Sequence, residues 1–281
     1  MKSIVALNST AMLVALTLST GAHAQDCPED LPLVEAGKLT MSINATIPPT
    51  QYIDEKGELV GLHRELGDLI AERLCLEPVY ANVQFEVQIP GLQAKRWDMI
   101  NTGLFFTEER AKLMKLVPYK INSLAVIGPK GNPEEVGELE DLAGKVVGVE
   151  IAGFEEKTLR EIDAEQVAAG LEPMDVRVFN TYGETFLALG AGQIEAVFAG
   201  DEIGKYYENK GQFTKLLSGL FPGSPAAFAF DEQAIADAVV GALKGMEADG
   251  VYDEVMDSFG ITKIDEWDQW PGEFRSYHTG E

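Results

Sequence analysis

Residues 39–45, with the sequence LTMSINA, open the stretch that decides the fold. Their alternating apolar side chains predict a β-strand. Apolar residues then recur at positions 62, 66, 69, 70 and 74, a spacing that predicts a helix with one buried face. Working outward along the chain, residues 79–85 alternate as a second strand, Pro90 can begin a helix that runs to residue 97, and residues 98–102 form a third strand. This βαβαβ order predicts an α/β domain with a largely parallel sheet.

A second unit of the same kind follows a turn-rich segment at residues 128–133. Strands are predicted at residues 145–151, 175–179 and 194–198, with helices at 155–162 and 184–189, and two further helices at 235–246 and 251–259. Two α/β units joined by short crossings have the outline of a two-domain clamp. In open sheets of this kind, ligands bind outside the carboxyl ends of the strands, so the strand-to-helix turns are the segments to search for a site.

The charge of the chain excludes several functions. The 281 residues include 46 Asp plus Glu against 22 Lys plus Arg, a net charge of −24. Such a chain repels phosphate backbones and anionic lipid, so we expect no nucleic-acid partner and no binding to a membrane surface through a basic face. The hydrophobic fraction of 46% is enough for a sizeable core.

The N-terminus predicts the compartment. Lys2 precedes a short apolar run at residues 11–18 and then Ala22-His23-Ala24, the order of a secretory signal peptide that ends at residue 24. No later stretch reaches the roughly 20 apolar residues that a membrane span needs. We therefore expect export to the periplasm after cleavage of residues 1–24.

The two cysteines, Cys27 and Cys75, are predicted to form a disulfide, because an isolated pair in an oxidising compartment is usually structural. A metal site built from them with His63 and His278 is a weaker alternative. The sequence contains no metal-ligand spacing and no cofactor motif, so we expect no cofactor.

The turn at residues 101–110, NTGLFFTEER, carries the main candidate for a binding site. Gly103 lets the backbone approach a ligand, Thr107 can cap the following helix, and Arg110 then presents a guanidinium at a fixed place. Such an arginine can bind a carboxylate through two parallel hydrogen bonds. A motif this short, taken alone, is more often a solvated surface arginine.

Other segments of the sequence favour a binding role for Arg110. The segments that carry a resemblance are residues 48–49, 57–61, 89–94, 97–100, 107–110, 142–149, 192–197 and 248–252. With them the chain resembles the periplasmic receptors of polar amino-acid ABC importers, the solute-binding proteins of family 3, which have the type II periplasmic fold. The resemblance covers nearly the whole chain after the signal peptide. It implies a first domain of residues 25–122 plus 226–281, an inserted second domain of residues 123–225, and hinges near 121–126 and 225–230.

The resemblance also implies a ligand site. The α-carboxylate site of the family falls on Arg110, with support from Thr102 and the amide of Gly103. Phe85 falls where an apolar or aromatic residue packs on the ligand, and Asn44 falls at a position that selects the ligand side chain.

Three positions depart from the family pattern. Phe105 stands where a hydroxyl residue is expected, Phe154 replaces the Thr or Ser expected after Gly153, and Ile47 replaces an aromatic residue. Fewer donors and more apolar surface favour a bulky ligand that keeps its carboxylate, such as an opine-type conjugate of an amino acid. Core packing is the alternative explanation for the two phenylalanines.

The ammonium-binding acid of the family aligns with Gly200. Asp201, one residue later, or Glu150 on the neighbouring strand could take its place, and the sequence leaves both open. Glu184 and Tyr182 are weaker candidates that we expect to lie on the surface.

The predicted function is therefore that of a monomeric periplasmic receptor, not an enzyme, which binds a small carboxylate ligand and hands it to an inner-membrane ABC permease. The alternative is a periplasmic enzyme on the same fold, similar to the cyclohexadienyl dehydratases, with Glu150 or Asp201 as its acid or base. The sensing domain of a larger receptor is a third and less favoured possibility.

Overall fold

The computed structural model describes residues 27–264, apart from the side chains of residues 222–224. The predicted signal peptide lies outside the described residues. The first part of the chain folds into the following elements: β1 (Lys38–Ile43), β2 (Thr46–Ile47), β3 (Gln51–Ile53), β4 (Leu59–Val60), α1 (Leu62–Arg73), β5 (Glu77–Asn82), α2 (Gln88–Gln93), β6 (Met99–Phe105) and α3 (Glu108–Leu113).

The remaining elements follow in chain order: β7 (Lys115–Pro129), β8 (Val146–Glu150), α4 (Phe154–Ala168), β9 (Asp175–Phe179), α5 (Tyr182–Gly190), β10 (Ala196–Gly200), α6 (Asp201–Asn209), β11 (Phe213–Phe230), α7 (Gln233–Ala248), α8 (Val251–Phe259) and β12 (Thr262–Lys263). Between residues 27 and 264, no helix combines the length and apolarity needed to cross a membrane.

One large sheet runs through the molecule in the order β5-β1-β6-β11-β7-β10-β8-β9, with β12 on β7. Strands β1, β5 and β6 pair in parallel, as do β8, β9 and β10. The long strands β7 and β11 run antiparallel to each other between these two groups. Strand β11 pairs with β6 at residues 226–229, whereas β7 pairs with β10 at residues 124–127. Each long strand therefore belongs to both halves of the sheet.

The buried side chains form separate cores on the two halves. We call lobe 1 the half around β1, β5 and β6, where α1, α7 and α8 bury Leu66, Val239 and Met256. Lobe 2 is the half around β8, β9 and β10, where α4 and α5 bury Leu159 and Phe186. The predicted α/β class is confirmed. The domain boundaries near residues 122 and 226, and the hinges beside them, remain predictions.

Several element boundaries differ from the prediction. Strand β5 ends at Asn82, so Phe85 lies in a short 3-10 helix, because β1, its partner in the sheet, ends at Ile43. Helix α2 stops at Gln93 because Lys95 takes a left-handed φ of 54°. The predicted helix at 155–162 continues to residue 168, the strand predicted at 194–198 runs from 196 to 200, and α6 was not predicted.

The disulfide prediction is confirmed, since Cys27 is bonded to Cys75 with their Cα atoms 5.6 Å apart. Cys75 follows the end of α1, where its φ is 56°. The bond fixes the start of the described chain to lobe 1.

Candidate functional site

A cleft lies where the two lobes meet. It consists of two adjoining cavities of about 30 Å³ each. Both are lined by Ile47, Thr102, Gly103, Phe105, Glu155 and Tyr182. A volume of this size is that of about one water molecule. The lobes are thus closed on each other, and any larger ligand requires them to move apart.

Arg110, the residue predicted to bind a carboxylate, lines this cleft. Thr107 caps α3 by accepting a hydrogen bond from the Arg110 amide at 3.1 Å. The guanidinium donates through Nη1 to the carbonyl of Phe105 at 2.8 Å, and its carbon lies 5.5 Å from the centre of the Phe85 ring. Burial lowers the pKa of Arg110, yet a guanidinium keeps its charge in proteins. Among the described residues, its other N–H groups have no hydrogen-bond acceptor.

The end of β6 places Thr102 and Gly103 beside this arginine. Gly103 has a φ of +72°, and a Cβ there would lie 3.1 Å from the ring of His63, so the position requires glycine. The hydroxyl of Thr102 accepts one hydrogen bond from the backbone N–H of Asn44 at 3.2 Å and another from Nε2 of Gln51 at 2.6 Å. These hydrogen bonds therefore hold the end of β6 in place at this wall of the cleft.

A buried polar chain supports the same wall. Nδ1 of His63 donates to the side-chain carbonyl of Gln51, and Nε2 accepts from the hydroxyl of Tyr119. Burial, together with the nearby charge of Lys120, lowers the pKa of His63 well below its usual value. His63 is therefore neutral, and its role is to hold Gln51 and the end of β6 in place.

Two of the contacts between the lobes involve predicted site residues. Nδ2 of Asn44 in lobe 1 donates to Oε1 of Glu150 in lobe 2 at 2.7 Å. The rings of Phe105 and Phe154 stack with centroids 4.8 Å apart and planes 18° from parallel. Both phenylalanines thus face the cleft, and Asn44 reaches it through Glu150.

Glu150 ends β8 and lines the Arg110 side of the cleft, next to Gly153. Its carboxyl group is buried, and burial with the neighbouring charge of Glu155 raises its pKa to about 8. Near pH 7 this group is mostly protonated. It is the only one of the two alternative acids that lines the cleft described here.

Asp201 lies elsewhere. Its carboxylate binds Nζ of Lys215 at 2.9 Å and accepts from the amide of Gly219 at 3.1 Å. Because the ion pair with β11 turns the side chain away, Asp201 is not among the residues that line the two cleft cavities.

Sequence reasoning misjudged Tyr182 and missed Glu155, both of which line the cleft from lobe 2. Tyr182 was expected on the surface, but it is only 2% exposed because α5 packs against the closed cleft. Burial and the neighbouring carboxyl group of Glu155 raise the pKa of its hydroxyl well above the usual value. Burial raises the pKa of Glu155, and the positive charge of Arg110 opposes that rise. The position of Glu155 directly after Gly153 and Phe154, at a strand-to-helix turn, was the signal that could have found it.

Two lobes closed over a cleft define a class, that of proteins which enclose a small solute. The chain belongs to the bacterial extracellular solute-binding proteins, family 3, whose model matches residues 39–262.

Relatives with assigned names agree with this membership. The chain is 26% identical over 233 residues to the ABC transporter arginine-binding protein 1 of Escherichia coli (strain K12), covering 80% of this chain and 91% of that protein. It is also 26% identical to the lysine/arginine/ornithine-binding periplasmic protein of the same organism, over 90% of this chain and 95% of that one. Among solved structures, an ancestral arginine-binding protein bound to glutamine matches with a TM-score of 0.71 and 28% identity, covering 80% and 98% of the two chains. The predicted type II periplasmic fold is confirmed.

Proposed function

We propose that this protein is the substrate-binding component of an ABC importer. It captures an amino acid or an amino-acid derivative through its carboxylate, closes its lobes around it and delivers it to a membrane permease. The names of the relatives given above describe amino-acid-binding proteins, which supports this class of ligand. The main support for the proposal is the guanidinium of Arg110. It is buried in the cleft, and most of its N–H groups make no hydrogen bond among the described residues.

The ligand carboxylate would take the remaining N–H groups of Arg110. The Phe105 carbonyl and the Phe85 ring hold the guanidinium in one orientation, so little side-chain freedom is lost on binding. A carboxylate held bidentately on a desolvated arginine gains charge-assisted hydrogen bonds that an exposed pair does not. Thr102 and Gly103 border the same end of the cleft.

Closure would follow from contacts that the ligand makes with both lobes. Arg110 and Phe85 belong to lobe 1, whereas Glu150, Gly153 and Phe154 belong to lobe 2. A ligand that touches both sets favours the closed form by its extra contacts there. Micromolar affinity corresponds to about 8 kcal/mol, which one charge-assisted carboxylate grip with aromatic burial can supply.

The aromatic walls favour a bulky ligand. When the lobes part, Phe105 and Phe154 separate, and each then presents an apolar face to the opening cleft. A conjugated or opine-type amino acid, with a ring or a sugar face against these walls and its carboxylate at Arg110, fits them better than a small free amino acid. Asn44 and Glu150 remain candidates for binding its polar groups.

Calorimetric titration of wild type and Arg110→Ala with a panel of amino acids and amino-acid conjugates tests the proposal. The variant should lose at least about a hundredfold in affinity, because it removes two charge-assisted hydrogen bonds. Lys112→Ala is the matched control, since Lys112 lies exposed on the same helix. An Arg110→Ala variant that is folded and keeps the wild-type dissociation constant would refute the site.

The periplasm is the compartment we propose. The segment predicted as a signal peptide and the disulfide between Cys27 and Cys75 both support export to an oxidising compartment. We propose that the receptor acts as a monomer.

A lyase on the same fold is a second candidate, and one observation favours it. Glu150 has a pKa of about 8 in a cleft, which suits a general acid or base. The relatives named above are binding proteins, which favours the receptor. Incubation with a cyclohexadienyl acid, followed by mass spectrometry, separates the two: a receptor returns the compound unaltered, and a lyase converts it.

A further inference from the structure

Lys120 is a cleft residue that the carboxylate grip at Arg110 does not use. Its side chain is 1% exposed, and its Nζ lies 2.5 Å from Oε1 of Glu202 on α6, whose side chain is 15% exposed. A lysine is almost never fully buried unless it is paired. Here the lysine comes from β7, beside the predicted hinge, and lines the cleft.

The two adjoining cavities give the cleft a cation at each end. Arg110 and Phe85 line one cavity only, and Lys120 and His63 line the other only. The residues common to both, among them Glu155, lie between these ends.

The middle of the cleft holds an acidic side chain. Glu155 is close enough to Arg110 for that cation to lower its pKa, and close enough to Glu202 for that acid to raise it. Beside it is the buried hydroxyl of Tyr182, which interacts with Glu155. The order along the cleft is thus cation, acid, cation.

We propose that the cleft selects amino dicarboxylates, ligands in which a protonated amine is flanked by two carboxylates. One carboxylate binds Arg110, the amine faces Glu155, and the second carboxylate binds Lys120. The class includes acidic amino acids and N-(carboxyalkyl) amino acids. This inference rests on the proposed function and narrows its ligand.

Binding of the second carboxylate exchanges one partner of Lys120 for another. The lysine keeps an anionic acceptor throughout, so its buried charge is never left alone. Glu202 also lines a separate cavity of about 290 Å³ between α6 and the end of α8. That cavity gives the released carboxylate room to turn away from the cleft.

Calorimetric titrations with L-glutamate, N-(1-carboxyethyl)-L-alanine, L-glutamine and L-alanine test the inference. In the wild type, at least one of the two dicarboxylates should bind tenfold or more tightly than both monocarboxylates. Lys120→Met should abolish that preference by weakening the dicarboxylate about tenfold to a hundredfold, while the monocarboxylates change little. A wild type with no preference for either dicarboxylate would overturn the inference.

The variant Glu202→Gln tests whether Lys120 recognises the ligand or only forms a structural ion pair with Glu202. It keeps Lys120 and removes the acid that competes with the ligand, so the preference for the dicarboxylate should increase. If Glu202→Gln abolishes the preference as Lys120→Met does, the pair only holds the lobes together and the inference is wrong. Should Lys120→Met fail to fold, the double variant Lys120→Met/Glu202→Gln removes both charges and takes its place.

The same titrations distinguish this inference from the proposed function. If monocarboxylates and dicarboxylates bind equally well and Arg110→Ala loses both, the receptor stands and the selection of dicarboxylates fails. If no amino acid or conjugate binds to the wild type, both fail.

Discussion

Replacement of Glu150 by glutamine should make the protein more stable at neutral pH. Glu150 is 3% exposed, and it accepts a hydrogen bond from Asn44 at 2.7 Å. Burial and the charge of Glu155 raise its pKa from the usual 4.5 to about 8. Glutamine keeps the carbonyl acceptor for Asn44 and removes the acid.

The size of this stabilisation follows from the difference in proton binding between the folded and the unfolded chain. Below pH 4.5 the carboxyl is protonated in both the folded and the unfolded chain, and its shifted pKa costs nothing. As the pH rises from 4.5 to 8, the unfolded chain releases the proton that the folded chain retains, so stability falls. At pH 7 the loss is about 3 kcal/mol, from 1.36 kcal/mol per pKa unit.

Urea denaturation at pH 5 and at pH 7.5 measures this effect. Glu150→Gln should raise the free energy of unfolding by about 2–3 kcal/mol more at pH 7.5 than at pH 5. Glu165→Gln is the matched control, because Glu165 lies exposed on α4 in the same lobe. A Glu150→Gln variant with the same pH dependence as this control would refute the account of a buried, protonated carboxyl.

Two further predictions concern stability. Replacing Cys27 and Cys75 by serine should lower the free energy of unfolding by about 4 kcal/mol, since the bond closes a loop with a sequence separation of 48; an unchanged urea midpoint would contradict this. Tyr182→Phe should lower the free energy of unfolding by about 1 kcal/mol, because it removes a buried hydroxyl that interacts with Glu155; a gain of stability in thermal melts would show that the hydroxyl has no partner.

The regular elements were largely predictable because their patterns are local. The face of α1 formed by Leu62, Leu66 and Ile70 is buried as its spacing indicated, and β9 has the predicted bounds. Helix α6 and the full length of β11 were missed. Residues 222–225 include two prolines, which are typical of a break, yet β11 continues through them. Its pairing with β7 across both lobes depends on residues far apart in the chain.

The site residues at strand-to-helix turns could be predicted from the sequence, whereas those placed by contacts between the lobes could not. Arg110, Gly103 and Phe154 follow from two strand-to-helix segments, each readable in sequence. Tyr182 was misjudged because its burial comes from contact between lobes, which no local pattern records. Asp201 was a reasonable candidate by position, but its ion pair with Lys215 depends on the fold of β11 against α6.

The most direct test of the central claim, a carboxylate held by Arg110 in a closing cleft, is native mass spectrometry. Wild type, Arg110→Ala and Lys112→Ala are incubated with a mixture of amino acids and amino-acid conjugates. We predict that wild type and Lys112→Ala each retain one unaltered carboxylate compound per chain, and that Arg110→Ala retains none. Retention of the same compound at the same occupancy by Arg110→Ala would contradict the account.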